Sequence, residues 1–165
     1  MLLYKYNYHN SFNQKIYDRN IDHIDFSSIK CPKCHCCCSF SFYGTYDRSF
    51  ILFIGIVLIH VQRVMCSSCR STHAVLPSFT VPFLRISLPD ACDILTSDDI
   101  DDILTRLQIS MDTVRCIRER YSSTWNSMLP DFENLSFIEI TLFSIKKFKK
   151  QFLQLHKIFI DILPT

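Results

Sequence analysis

The sequence predicts an α+β fold, strands in the first half and helices in the second, on three observations. From Ser39 to Val64 the chain is rich in β-branched and aromatic residues: Ser39-Phe40-Ser41-Phe42-Tyr43 alternates, and Ser49 to Val64 is dense in Ile, Val, Leu and Phe. Pro77, Pro82 and Pro89 then exclude a long helix across residues 70–89. Beyond them apolar residues recur in steps of three and four, the period of helices that bury one face.

A chain of 165 residues is one domain or two small ones, and 48% hydrophobic against 21% charged is a globular balance. Two glycines, Gly44 and Gly55, exclude collagen-like and low-complexity readings. A net charge of +2 neither favours nor excludes a polyanionic partner. Nine cysteines fit either a secreted disulfide scaffold or an intracellular metal protein. The start, Met1-Leu2-Leu3-Tyr4-Lys5, lacks the apolar core and cleavage site of an export signal, and the cysteine count is odd, so a reducing, cytoplasmic setting is expected. The longest apolar run, Phe50 to Ile59, has ten residues. That is half of the ~20 a membrane helix needs, so no membrane partner is expected.

Taken in order, Tyr4, Tyr6 and Tyr8 alternate with Lys5, Asn7 and His9, which predicts a first strand; the chain then reads as polar and irregular through Asn20. Gly44-Thr45 predicts a turn, and Gly55 a bulge or a turn between two strands. Residues 70–89 read as a linker anchored by Val75, Leu76, Phe79 and Phe83. The chain thus divides into a β unit over 1–86 and a helical unit over 87–165. Leu88 to Leu95 is a short helix with Pro89 in its first turn. Thr96 or Ser97 caps a second, with Asp98 and Asp99 where the helix dipole favours acids and Ile100, Ile103, Leu104 and Leu107 as its stripe. After a turn at Gln108-Ile109, Ser110 caps a third, whose apolar face is Met111, Val114, Ile117, Tyr121, Trp125 and Met128, ended by Pro130. These three occupy 88–129. A last stripe, Ile138, Leu142, Ile145, Phe148, Phe152, Leu155, Phe159 and Ile162, predicts a long C-terminal amphipathic helix over 137–163, decorated by Lys146, Lys147, Lys149, Lys150 and Lys157.

Cys31-Pro32-Lys33-Cys34 and Cys66-Ser67-Ser68-Cys69 bracket the strand-rich segment. Zinc takes four tetrahedral ligands, and two such turns present two sulfurs each at a suitable separation. Either pair alone is weak, because nine cysteines in this length produce such spacings by chance; the combination is specific. One structural Zn2+ on Cys31, Cys34, Cys66 and Cys69 is therefore expected. A closed four-sulfur site leaves no position for a reacting water and contributes to folding instead. Cys36, Cys37 and Cys38 remain as spare thiols, Cys37 being the likeliest substitute ligand, and His35 and His73 flank the pairs as outer-shell or surface residues or as alternative ligands.

A short helix, a capped helix, a tight turn and another capped helix are the parts of a helix-turn-helix. Thr113 at the start of the last helix, with Arg115, Arg118 and Ser122 on the face opposite Val114 and Ile117, are the candidate contacts to duplex DNA. The bland alternative is an ordinary solvated face, and Asp98, Asp99, Asp101 and Asp102 repel phosphate unless they point away.

The first knuckle, Gly44-Thr45-Tyr46-Asp47-Arg48, Arg63-Val64-Met65-Cys66 and Thr72-His73-Ala74-Val75-Leu76-Pro77 together resemble the N-terminal zinc ribbon of bacterial transposases. More closely, they resemble a bacterial transposase-associated zinc-ribbon family of uncharacterised function. Ile109-Ser110-Met111-Asp112-Thr113-Val114-Arg115 is similar to the turn and recognition helix of transposase helix-turn-helix modules, so the resemblance spans roughly 25–128. It implies an N-terminal β zinc ribbon followed by a helix-turn-helix-like three-helix unit. The sequence departs from the pattern at His35 and Arg70, where such knuckles carry glycine. No acidic triad of the ribonuclease-H type follows, so the resemblance implies target recognition without strand transfer.

The expected function is that of a zinc- and DNA-binding protein related to the recognition region of a transposase, without a catalytic domain. The alternative is a zinc-ribbon protein-interaction module, forming a homodimer through the C-terminal helix, whose stripe is close to a heptad repeat. With no Ser/His/Asp set, phosphate loop or open His-rich metal site in the sequence, neither an enzymatic reaction nor a small-molecule substrate is expected.

Overall fold

The computed structural model describes residues 1–7, 11–37, 39–129, 134–155 and 160–163. In chain order the elements are β1 (Leu2–Tyr4), α1 (Gln14–Asp22), β2 (Phe40–Leu52), β3 (Gly55–Cys66), β4 (Thr72–Pro77), α2 (Leu88–Thr96), α3 (Ile100–Leu107), α4 (Met111–Arg120), α5 (Phe137–Phe148) and β5 (Asp161–Leu163). A π turn over Tyr121–Trp125 continues α4. The strands form one mixed sheet in the order β2-β3-β4-β1-β5. The β2/β3 and β3/β4 pairs are antiparallel, and β1 is parallel to both β4 and β5. The expected α+β class is present. Leu2, Leu3 and Tyr4 are all buried, as befits a strand flanked on both sides by parallel partners.

Both glycines sit at irregularities of the β2/β3 hairpin. Gly44, with φ 132°, lies where the register slips between Phe42 and Gly44, so the turn expected there is a bulge in a continuous strand. The chain reverses instead at Phe53-Ile54, and Gly55, with φ 110°, closes the hairpin opposite Leu52. Only glycine takes such a backbone without strain.

The stretch that reads as irregular through Asn20 holds α1, which runs on to Asp22. Asn13 caps it by accepting from the Ile16 N–H, and Tyr17 and Ile21, one turn apart, are the two residues it buries. Its role follows from unequal strand lengths. β4 pairs with β3 only around Arg63–Met65, which leaves backbone donors further along β3 to find other partners. The N–H of His60 donates to Gln14 Oε1 and that of Gln62 to Tyr17 Oη, each at 2.8 Å, while the Tyr17 hydroxyl donates to the Val75 carbonyl at 2.8 Å. A helix thus stands in for the missing strand.

The segment read as a linker holds β4 and a half-buried tie. The Arg48 guanidinium donates to the carbonyls of Val81 (2.7 Å) and Leu84 (3.0 Å) and lies over the Phe50 ring. Arg48 is the last residue of the Gly-x-Tyr-x-Arg element, and its partners explain it as a clamp between the hairpin and the chain leading into the helices.

α2 is capped by Ser87, which also hydrogen-bonds the buried Asp90 carboxylate. The cap of α3 is Asp99, not Thr96 or Ser97, because α2 runs on through Thr96. Gln108 ends α3 in the left-handed region, and Ser110 caps α4 as expected. Val81, Leu84, Ile86, Ile94, Ile103, Leu107, Val114, Ile117, Trp125, Phe152 and Leu153 share one core cluster; the sheet and α1 share another.

The long C-terminal helix over 137–163 is not what forms. α5 ends at Phe148, with Lys149 in the left-handed region at φ 56°. The buried Gln151 side chain then donates to the carbonyls of Ser78 and Thr80, and Gln151, Phe152, Leu153 and Gln154 are all buried, four in succession, which no single helical stripe allows. Ile162 belongs to β5, beside β1. Among the described residues the heptad-like stripe is divided among a helix, a buried turn and a strand; Lys157 and Phe159 lie outside the described residues. No described helix is long and apolar enough to cross a membrane.

Candidate metal centre

The hairpin register builds the site. Phe40, the first residue of β2, pairs with Cys66, the last of β3, so the open end of the hairpin carries the chain leaving the first cysteine pair back onto the second. The Ser67 N–H donates to the Ser39 carbonyl at 3.2 Å and ties the two ends directly.

The two knuckles repeat one pattern of backbone bonds. In the first, Cys31 N–H donates to the Cys36 carbonyl and His35 N–H to the Cys31 carbonyl. In the second, Cys66 N–H donates to the Ser71 carbonyl and Arg70 N–H to the Cys66 carbonyl. The residue after each second cysteine is left-handed, His35 at φ 59° and Arg70 at φ 56°. These are the positions where glycine would be usual, and the chain adopts the glycine conformation without glycine.

All four sulfurs lie within 4.8 Å of one another. Cys31 Sγ is 3.7 Å from Cys69 Sγ, and Cys34 Sγ is 3.8 Å from Cys66 Sγ. A disulfide needs about 2.05 Å. A tetrahedron of sulfurs around zinc, with Zn–S about 2.3 Å, has edges of about 3.8 Å. The donor set therefore fits one tetrahedral, thiophilic ion, and the four cysteines can hold a single metal ion between them.

Electrostatics favours the same occupant. Burial pushes the Cys31 thiol up. At Cys34 the Cys36 N–H favours the thiolate, but desolvation and the sulfurs of Cys31, Cys69 and Cys66 outweigh it, and the thiol is raised. The Cys69 thiol is lowered, by hydrogen bonds from the Ser71 hydroxyl and backbone. Gathering thiolates without a cation is unfavourable, and a divalent ion supplies the missing charge.

His73 is buried and stands just outside the sulfur set. Its Nε2 is 3.4 Å from Cys31 Sγ and its Nδ1 is 3.0 Å from the Met1 amine. With Nδ1 accepting from that amine, Nε2 carries the ring proton and donates to the sulfur, the role of a residue that orients a ligand. His35, Cys36 and Cys37 are exposed, and Cys37 forms an isolated bridge with Lys30; Cys38 lies outside the described residues.

The other candidates are on α4. Thr113 is half-buried, its hydroxyl 3.2 Å from that of the capping Ser110. Arg115 is exposed and pairs with Asp112 at 3.1 Å. Arg118 donates to the carbonyls of Ile94 and Ser97 and so ties α4 to the end of α2. Ser122 is exposed and donates to the Glu119 carbonyl. Arg115, Arg118 and Ser122 line one shallow groove with Met111 and Glu119. The sequence pattern gave no hint of the tie made by Arg118, because its acceptors are carbonyls of another helix.

The molecule is thus an α+β chain with a four-cysteine cluster suited to one metal ion. The family description "Domain of unknown function (DUF6431)" matches residues 31–117, 87 of 165, and the chain belongs to that family. The match begins on the first sulfur and ends on Ile117, enclosing both knuckles, the hairpin and α2 through most of α4. No curated protein and no solved structure matches the chain.

Proposed function

We propose that this chain is a zinc-binding, duplex-DNA-binding protein related to the recognition region of a transposase and carrying no catalytic domain of its own. The zinc on Cys31, Cys34, Cys66 and Cys69 closes the hairpin. The α2–α4 unit acts as a helix-turn-helix, with α4 meeting the major groove. The observation that carries the zinc half is the sulfur spacing, 3.7 and 3.8 Å, matching a zinc tetrathiolate. Support for the DNA half comes from α4 itself. It is capped at Ser110, seated by Val114 and Ile117, and exposes Met111, Asp112 and Arg115 at its N-terminal half, where such helices meet base edges. Arg115 is the contact residue and Arg118 sets the angle of α4 on α2.

Mobility shift with zinc-loaded full-length protein and duplex DNA at low salt tests this. A retarded complex is expected that dissolves as salt rises, and Arg115→Ala should weaken it by about 1–3 kcal/mol. Absence of any complex with folded, zinc-loaded protein contradicts the DNA half.

One observation favours the interaction-module reading. Phe53, Ile54, Ile56 and Leu58 at the hairpin tip are all exposed, Ile56 by 67%. Sedimentation of the chain alone, and of an Ile56→Ser, Leu58→Ser variant, tests self-association there.

A further inference from the structure

Charge is distributed unevenly around α4. Residues 88–129 hold eight carboxylates against four arginines, a balance of −4. Arg106 is engaged by Asp90, Asp93 and Asp102, and Arg115 by Asp112. A unit of this sign repels a polyanion on balance, so its binding gains from cations placed elsewhere in the chain. Residues 137–155, by contrast, hold Lys146, Lys147, Lys149 and Lys150 against the single carboxylate Glu139, a balance of +3. Since the whole chain is +2, everything outside that segment sums to −1. Glu139 is at the far end of α5, bound to the capping Ser136, and among the described residues no carboxylate pairs with any of the four lysines.

Three of the four ammonium groups are also placed. Lys147 Nζ lies over the rings of Phe143 and Phe148, at 5.1 and 5.3 Å from their centres. Lys149 Nζ donates to the Lys146 carbonyl and Lys150 Nζ to the Leu155 carbonyl. Phe148 in turn packs edge-on against Trp125, at the end of the π turn that extends α4. From Arg115 to Trp125 is ten residues, or about 15 Å of helix. That is comparable to the ~12 Å width of a major groove, so cations gathered near the Trp125 end are within range of a flanking phosphate strand.

Resting on the DNA-binding reading above, we infer that Lys146, Lys147, Lys149 and Lys150 form a phosphate-backbone site that supplies the sequence-independent affinity for duplex DNA. An anionic lipid surface shares the phosphate chemistry but fits less well. Leu142, Phe143 and Leu155 beside the lysines are 40%, 38% and 42% exposed, but they are split between α5 and the turn after it, and Ile140 faces the core, so they form no continuous apolar helix face of the kind that enters a bilayer.

The test is fluorescence anisotropy of a labelled mixed-sequence duplex with zinc-loaded full-length protein across a salt series. The quadruple Lys→Gln variant at 146, 147, 149 and 150 should bind roughly tenfold or more weakly at low salt, with the salt slope reduced by about 0.9 per lost phosphate contact. The matching quadruple Lys→Arg variant keeps the charge, and should retain wild-type affinity. Equal affinity and slope for wild type and the Gln variant overturns this site while leaving DNA binding by α4 in place. No binding by wild type overturns both. Lysine-dependent binding to vesicles of anionic phospholipid, without binding to the duplex, overturns it in favour of a lipid surface.

Discussion

The two knuckles and the three helices that follow them are held in place by different forces. Of residues 31–37 only Cys31 and Pro32 are buried, and their shape rests on a few backbone bonds and four converging sulfurs. Helices α2–α4 converge instead on a common apolar core, and each begins on a side-chain cap. A metal ion on the four sulfurs would therefore be the fastening of one region, as packing is of the other. Perturbing either fastening should leave the other region standing.

Removing the metal is the strongest such perturbation, since a structural zinc contributes an apparent ~10–16 kcal/mol where it organises a small finger. Hydrogen exchange after chelation should show amides of 31–37 and 66–71 losing protection while those of α2–α4 keep theirs. Simultaneous loss in both regions would break the distinction. The raised thiols of Cys31 and Cys34 add a pH sign. Protons leave these groups when metal enters, so affinity rises with pH, and titration calorimetry in buffers of different ionisation enthalpy should register proton release. Trp125→Ala is the reciprocal perturbation. Trp125 is fully buried against Phe148 and Phe152, so its loss should destabilise the chain by about 3–5 kcal/mol with bound zinc unchanged, read by denaturant titration and metal analysis together. The smallest effect is a gain. His35 and Arg70 are held left-handed, which costs a residue with a Cβ about 1–2 kcal/mol, so Arg70→Gly should raise stability by about 1 kcal/mol after glycine's own entropy. A loss on that substitution would mean that the arginine side chain does more at the knuckle than occupy a turn.

How much of this was legible in the sequence depended on the reach of the interaction. Ser110, Val114 and Ile117 lie within two turns, and their pattern predicted α4 with its cap. The cysteine pairs were legible because metal chemistry demands a fixed local spacing, even though a long hairpin separates them. α1 was not legible, because it answers the needs of β3, whose unpaired N–H groups find Gln14 and Tyr17 from a distant part of the chain. The end of α5 was missed for a similar reason. Helical periodicity continues past Phe148, and no glycine marks the stop, but the carbonyls of Ser78 and Thr80 draw Gln151 inward and the chain with it. Local signals could not show that Asp99 rather than Ser97 caps α3, because both are good caps and the choice belongs to where α2 ends.

Whether the four sulfurs hold zinc can be read from X-ray absorption at the zinc edge of purified full-length protein, with stoichiometry from native mass spectrometry. One zinc per chain with four sulfurs at about 2.3 Å is the expected result. A folded protein without zinc, or a first shell containing an imidazole nitrogen from His73 or His35, would contradict it.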